Sequence, residues 1–243
     1  MAGIMLITGG SRGIGAATAR LAAERGYQLC ISYLRERDAA DKMARETGAI
    51  AVAADVSKET DVVRLFEEVD RRLGRLAVLV NNAGIVDRSA RVDEMSAARL
   101  ERMFAINITG SFLCAREAVK RMSTRHGGNG GAIVNVSSAA SRLGGSGMYV
   151  DYAASKGAID TLTLGLSKEV AGEGIRVNAV RPGVIRTMIH ASSGDADRPQ
   201  KIGPSLPMGR AGEPEEVART VLWLASADAS YVNGAIVDVA GAR

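Results

Sequence analysis

Short apolar runs alternate with longer amphipathic stretches along almost the whole chain. The runs at 4–8, 28–33, 50–53, 77–81, 132–136, 176–180 and 235–239 are dominated by Val, Ile, Leu and Ala. They are continuous, not alternating, and so predict strands covered on both faces. Between them, the stretches at 14–25, 36–47, 58–73, 97–123, 152–171 and 214–226 carry helical patterns. Such alternation specifies parallel strands joined by right-handed crossovers. The expected fold is therefore α/β, a doubly wound Rossmann-type parallel sheet of about seven strands with helices on both faces.

Element ends carry recognisable chemistry. Ser96 is placed to cap a helix starting at Ala97, and Pro214 suits a first helical turn. Residues 127–131, Gly-Gly-Asn-Gly-Gly, read as a flexible turn. The polar segment 190–210 holds Pro199, Pro204 and Pro207 and reads as a long loop, the expected substrate-loop region. With no repeat or linker, residues 1–243 are expected to form one domain.

Composition narrows the choice of partners. Lys and Arg number 31 against 27 Asp and Glu, a net charge of +4 with no concentrated basic stripe. Nucleic-acid binding would need such a stripe with interleaved aromatics, and aromatics are only 4% of residues. No stretch approaches the roughly 18 apolar residues of a membrane span. The apolar start at 1–8 is too short for a secretory leader. Cys30 and Cys114, each in an apolar setting, read as buried reduced thiols. These features lead us to expect a cytoplasmic protein with a small-molecule partner and neither nucleic acid nor membrane.

The first strand runs into Thr8-Gly9-Gly10-Ser11-Arg12-Gly13-Ile14-Gly15, and a helical pattern follows. Glycines at 9, 13 and 15 permit a tight turn, close backbone approach to a pyrophosphate and tight helix–strand packing. The helix start then offers free N–H groups to the phosphates. The spacing is G-x-x-x-G-x-G, and further motifs follow in order. They are Asp55-Val56, Asn81-Asn82-Ala83-Gly84, Asn107, Ser137-Ser138, Tyr152-x-x-x-Lys156 and Pro182-Gly183.

This series resembles the short-chain dehydrogenase/reductase family, and the run from Tyr149 to Asp160 is especially similar to bacterial glucose-1-dehydrogenase-like oxidoreductases. The resemblance implies a nicotinamide cofactor contacted by Gly9, Ser11, Arg12, Gly13, Ile14 and Gly15. It places Asp55 and Val56 at the adenine, Asn82, Ala83 and Gly84 at the adenosine ribose, and Thr187 at the carboxamide. Tyr152, Lys156, Pro182 and Gly183 are implied as further cofactor contacts. A homodimer or homotetramer, built on the helices at 97–123 and 152–171, is implied as well.

An NAD site places an acid after the second strand to hold the ribose 2′-hydroxyl. Here the stretch reads Ile31-Ser32-Tyr33-Leu34-Arg35, with no acid before Glu36. Arg35 and Arg12 suit a 2′-phosphate, which a guanidinium binds bidentately. NADP(H) is therefore favoured over NAD, although an inward Glu36 would reverse the choice.

For the chemistry, hydride transfer to a carbonyl needs a proton donor at the oxygen. Tyr152 fills that role, with Lys156 one helical turn away to stabilise phenolate and lower the phenol pKa. Ser138 is chosen over Ser137 to hydrogen-bond the substrate oxygen, and the resemblance gives Asn107 a water-mediated proton relay to Lys156. Tyr149 lacks a lysine at the same spacing and is expected to line the substrate pocket. His126 is expected at a helix end and His190 in solvent. Neither has metal-ligand spacing, and the expected chemistry needs no metal. The expected activity is interconversion of a carbonyl and a secondary alcohol with NADP(H). An NAD-dependent alcohol or sugar dehydrogenase, or a non-catalytic dinucleotide-binding regulator, are the alternatives.

Overall fold

A computed structural model describes residues 3–243; Met1 and Ala2, the start of the apolar 1–8 segment, lie outside the described residues. Seven strands form one parallel sheet: β1 (Ile4–Ile7), β2 (Gln28–Tyr33), β3 (Ile50–Ala53), β4 (Leu76–Asn81), β5 (Gly131–Val136), β6 (Ile175–Pro182) and β7 (Ile236–Val239). Their order is β3-β2-β1-β4-β5-β6-β7, and every neighbouring pair is parallel. The order reverses between β1 and β4, opening a crevice at their carboxyl ends, where ligands of such sheets bind. No helix among the described residues is long and apolar enough to cross a membrane.

Ten α-helices connect the strands or extend them: α1 (Gly13–Glu24), α2 (Arg37–Thr47), α3 (Glu59–Arg72), α4 (Ala97–Phe104), α5 (Gly110–Met122), α6 (Ala140–Leu143), α7 (Val150–Glu169), α8 (Ile189–Ser192), α9 (Arg198–Ile202) and α10 (Pro214–Ala225). Two apolar layers follow. On one face, Ala16, Ala19 and Ala22 of α1 and Val217, Val221 and Leu222 of α10 pack on the sheet through Met5, Ile7 and Val80. On the other, Leu65, Phe66 and Val69 of α3, with Cys114, Ala118 and Met122 of α5, cover Leu6, Leu79 and Ile133. Fully burying one such Leu, Ile or Phe side chain stabilises the fold by roughly 1.5–3 kcal/mol. Both cysteines are buried, and burial pushes each thiol up to about 12.

Three expectations need correction. The stretch 97–123 is not one helix: α4 and α5 are separated by a π-turn at Ala105–Thr109. Its cause is Asn107, which accepts from the Ile85 amide at 2.8 Å and donates to the Ile85 carbonyl at 2.9 Å. A wide turn presents that side chain to the connection after β4, 22 residues away, without breaking the helix path. Within 127–131 the chain does turn at Gly127, but Gly128, Gly130 and Gly131 form a close-packed crossing. A Cβ on Gly130 would lie 2.4 Å from the Gly174 oxygen, and Gly131 already belongs to β5. The segment 190–210 is not a bare loop, for it contains most of α8, all of α9 and a 3-10 turn at Gly203–Ser205. The expected caps are present. Ser96 accepts from the Arg99 amide at 3.3 Å, and Pro214 opens α10.

Candidate active site

The crevice is a cavity of about 1020 Å³ that runs from the ends of β2 and β3, past the β1 turn, to the start of α7. At its centre Gly9 adopts φ +64°, a conformation that strains any residue with a Cβ. A Cβ on Gly15 would lie 2.5 Å from the Gly9 oxygen and 2.6 Å from Asn82 Nδ2, so α1 starts against the turn itself. Asn82 holds the turn by donating to the Thr8 and Gly9 carbonyls at 2.8 and 3.0 Å. Thr8 Oγ1 in turn accepts from the Asn82 and Ala83 amides at 3.0 Å. Gly13 faces Thr187 Cγ2, 3.3 Å from where a Cβ would sit. This cradle excludes side chains and leaves backbone N–H groups at a helix start, which fits a pyrophosphate.

Beyond β2, Arg12, Arg35 and Glu36 all line the cavity and all are exposed. Arg12 Nη1 lies 3.4 Å from Glu36 Oε1, so the acid answers the turn's guanidinium, while Arg35 has no carboxylate within 4.0 Å among the described residues. Asp55 Oδ1 accepts from the Ser57 amide and hydroxyl at 3.1 and 2.6 Å and shapes the wall beside Val56.

At the other end, Ser138, Tyr152 and Lys156 share the cavity wall. The two serines separate cleanly. Ser137 Oγ is turned inward to Asp160 Oδ1 at 2.7 Å and to the Lys156 carbonyl at 3.2 Å, whereas Ser138 Oγ accepts only the local Ala140 amide at 3.1 Å and faces Tyr152. Lys156 Nζ donates to the Val136 carbonyl at 2.7 Å and stands 5.8 Å from the Tyr152 ring centre. Burial brings the Lys156 ammonium down to about 8, with the Asp160 carboxylate opposing. The Tyr152 phenol moves up and not down as expected, because burial outweighs the hydrogen bond to Ser138. The ammonium lies over the ring and is committed to Val136, so it does not reverse that direction.

Every candidate position lines this one cavity except Gly15 and Asn107, which stand behind its wall. Asn107 is fully buried, and besides Ile85 its amide donates to Ser155 Oγ at 3.1 Å. A Cβ on Gly84 would lie 3.4 Å from Asn107 Oδ1 and 3.5 Å from Lys156 Nζ, so both groups press on the same backbone. Tyr149 lines the cavity with its ring edge-on to Tyr152 at 6.4 Å and 89°. His190 is half-buried instead of solvated, since its ring Nε2 meets the Ile185 carbonyl at 2.9 Å.

Three residues at the site escaped the sequence reading. Asp151, buried beside Tyr152, takes a two-pronged contact from Arg99 of α4 at 2.8 and 3.2 Å. Asp160 joins Ser137 to Arg181. Arg198 stands over the Tyr149 ring at 5.6 Å. Only Asp160 carried a usable signal, being four residues after Lys156 and thus on its helix face.

A reversed parallel sheet with a glycine cradle and a Ser-Tyr-Lys wall defines a dinucleotide-type oxidoreductase, and the comparisons name the family. The family model described as Enoyl-(Acyl carrier protein) reductase matches residues 9–241. The chain belongs to the short-chain dehydrogenase/reductases, enzymes that act on CH–OH and C=O groups with NAD(P). It is 53% identical to the uncharacterized oxidoreductase YgfF of Escherichia coli K12, over 99% of both chains. It is 39% identical to cis-4-hydroxycyclohexanecarboxylate dehydrogenase of Sinomonas cyclohexanicum, over 98% of this chain and 95% of the other. Among solved structures, 3-ketoacyl-(acyl-carrier-protein) reductase from Brucella melitensis, complexed with NADH, superposes with a TM-score of 0.92 at 31% identity, over 99% of this chain and 97% of that one.

Proposed function

We propose that this protein is an NADP(H)-dependent oxidoreductase interconverting a carbonyl compound and a secondary alcohol, with Tyr152 as the acid in reduction and the base in oxidation. The observation that carries this reading is the single cavity joining the glycine cradle to Ser138, Tyr152 and Lys156. The nicotinamide cofactor, when bound, supplies or accepts the hydride. The chain's own residues handle the oxygen. A phenol held above its ordinary pKa stays protonated at neutral pH and is ready to donate. Ser138, whose hydroxyl lies on the cavity wall beside the Tyr152 phenol, turns to donate a second hydrogen bond to the oxygen as charge develops. Lys156, its ammonium over the Tyr152 ring, stabilises the phenolate that remains. Asn107 belongs to the same reading as a relay through water to Lys156, its side chain being held in place by Ile85 and Ser155. The remaining cofactor contacts are those of the sequence reading, from the glycine turn through Asp55, Asn82 and Gly84 to Pro182, Gly183 and Thr187.

NADP(H) is supported by two guanidinium groups, Arg12 and Arg35, at the β2 end of the cavity, with Glu36, the acid that follows Arg35, drawn onto Arg12. The Arg12–Glu36 contact also supports the NAD reading, because the same carboxylate can turn to a ribose hydroxyl. Titrations that follow the fluorescence of the reduced nicotinamide separate them. NADPH should bind more tightly than NADH, and Arg35→Leu should erase the difference; tighter NADH binding by the unaltered protein would overturn NADP(H). Tyr152→Phe should lose about 10²- to 10⁴-fold in turnover and keep NADPH binding. Unchanged turnover would end the acid/base assignment. The reading includes association into dimers or tetramers, supported by exposed Phe112 on α5 and Leu164 on α7.

A further inference from the structure

Past Tyr152 the cavity wall becomes apolar, with Leu143, Met148, Tyr149, Met188 and Ile189 among its residues. The cationic side chains here, besides Lys156, include Arg198 and Arg243, with His190 beside them; Arg102 of α4 also lines the cavity, but it already has Asp87 at 3.7 Å. The carboxylates on the lining, Glu36 and Asp55, belong to the opposite end, after β2 and β3. Arg198 opens α9 and is half-buried. Its guanidinium carbon stands over the Tyr149 ring, 5.6 Å from the ring centre, and that ring meets the Tyr152 ring edge-on at 6.4 Å. Its Nη2 reaches only the Met148 thioether, at 3.9 Å, a weak acceptor. No carboxylate lies within 4.0 Å of it among the described residues, since the neighbouring Asp195 is engaged by Lys201. His190 adds no second cation here. Its ring is held on the Ile185 carbonyl, and burial with the nearby Arg198 charge pushes its pKa down.

A half-buried guanidinium that stands over an aromatic ring and meets only a thioether is matched by a planar anion that can accept two parallel N–H bonds. We infer that the substrate is an oxo-acid, or the corresponding hydroxy-acid, whose carboxylate is held by Arg198 beside Tyr149 while its carbonyl meets Tyr152. The inference rests on the proposed role of Tyr152 and adds the substrate class. The spacer between the two groups lies along the apolar wall formed by Met148 and Met188. No bond is made or broken at Arg198; it binds and orients.

The test uses the full chain with NADPH and a series of oxo-carboxylates of graded chain length, each against its methyl ester. The favoured acid should exceed its ester by about ten- to a hundredfold in kcat/KM, carried mainly by KM. Arg198→Gln should collapse the acid-to-ester ratio towards unity, and Arg198→Lys should restore part of it. Calorimetric titration of the same oxo-carboxylates onto the complex with oxidised NADP, which holds no hydride to transfer to them, reads the dependence on Arg198 without turnover. The inference is overturned if esters and acids perform alike, or if Arg198→Gln lowers both equally. It is also overturned if that substitution weakens NADPH binding by as much as it raises KM for the acid. A Tyr152→Phe variant that still turns over both series overturns the acid/base reading instead, so the two failures are told apart.

Discussion

Lys156 and Tyr152 share one wall, and burial moves both towards their neutral forms, the lysine down to about 8 and the phenol up. The charge that opposes this on Lys156 is Asp160, one turn along α7. Asp160 is itself fixed by Ser137 at 2.7 Å and by Arg181 Nε and Nη2 at 3.1 and 2.8 Å. Asp160→Asn should therefore lower the Lys156 pKa further. A pH–rate profile from neutral to alkaline pH should show the limb that requires the ammonium shifting to lower pH. The stability sign follows from the same shift. Between about 8 and the ordinary 10.5 the folded state binds fewer protons than the unfolded chain, so stability rises with pH across that window. Denaturant unfolding at both ends of the window checks it. Asp160→Asn also breaks a largely buried pair. The loss should stay below the roughly 3–5 kcal/mol of a fully buried one, because Arg181 keeps Asp238 at 3.9 Å. At this scale the sequence made Tyr152, Lys156 and Ser138 legible through order and spacing. Arg198 and Asp151 were not legible, because each takes its meaning from a partner that is distant in the chain or carries no charge.

At the scale of elements, two joints govern the site. The first is the start of α1 against the glycine turn, where Gly15→Ala would place a methyl 2.5 Å from the Gly9 oxygen. Backbone cannot yield as a side-chain tip can, so the turn should open and NADPH affinity should fall at least tenfold, read by nicotinamide fluorescence. Retained affinity would show that the cradle adjusts. The second is the tie between α4 and α7, where Arg99 is 12% exposed and Asp151 wholly buried in its side chain. Arg99 also donates to the Arg88 carbonyl at 2.8 Å, so the pair clamps the chain after β4 to the helix that carries Tyr152. Asp151→Asn should cost about 3 kcal/mol and lower Tm by roughly 6–12 °C. It should reduce kcat more than NADPH affinity, because the first residue displaced is Tyr152. Calorimetric melting with steady-state kinetics decides this. Strand and helix positions were readable from local apolar pattern, but the π-turn at Ala105–Thr109 was not. Its determinant, the Asn107–Ile85 contact, is a tertiary one that helical periodicity does not carry.

Across the whole molecule, the doubly wound order was legible because alternating strands and helices leave few unknotted arrangements. What sequence pattern could not place is the surface left over once both faces of the sheet are covered. Phe112 and Leu164, 49% and 45% exposed, lie on α5 and α7, which pack on one face. Trp223, 40% exposed, lies on α10 across the sheet, and Tyr231 is fully exposed a few residues beyond that helix. In the association proposed above another copy covers these side chains, and a two-fold contact covers the same surface on both copies. Contacts on opposite faces would give a dimer through one and a tetramer through both. The double change Phe112→Asp with Leu164→Asp should break the α5–α7 contact, since a carboxylate buried there without a partner opposes association. Light scattering after size exclusion should then read a smaller species than the unaltered protein. A Trp223→Arg with Tyr231→Arg variant should lose the other contact alone. NADPH binding should survive in both, because none of the four residues lines the cavity. If the unaltered protein is already a monomer at high concentration, the association proposal fails, while the single-chain geometry of Ser138, Tyr152 and Lys156 is untouched.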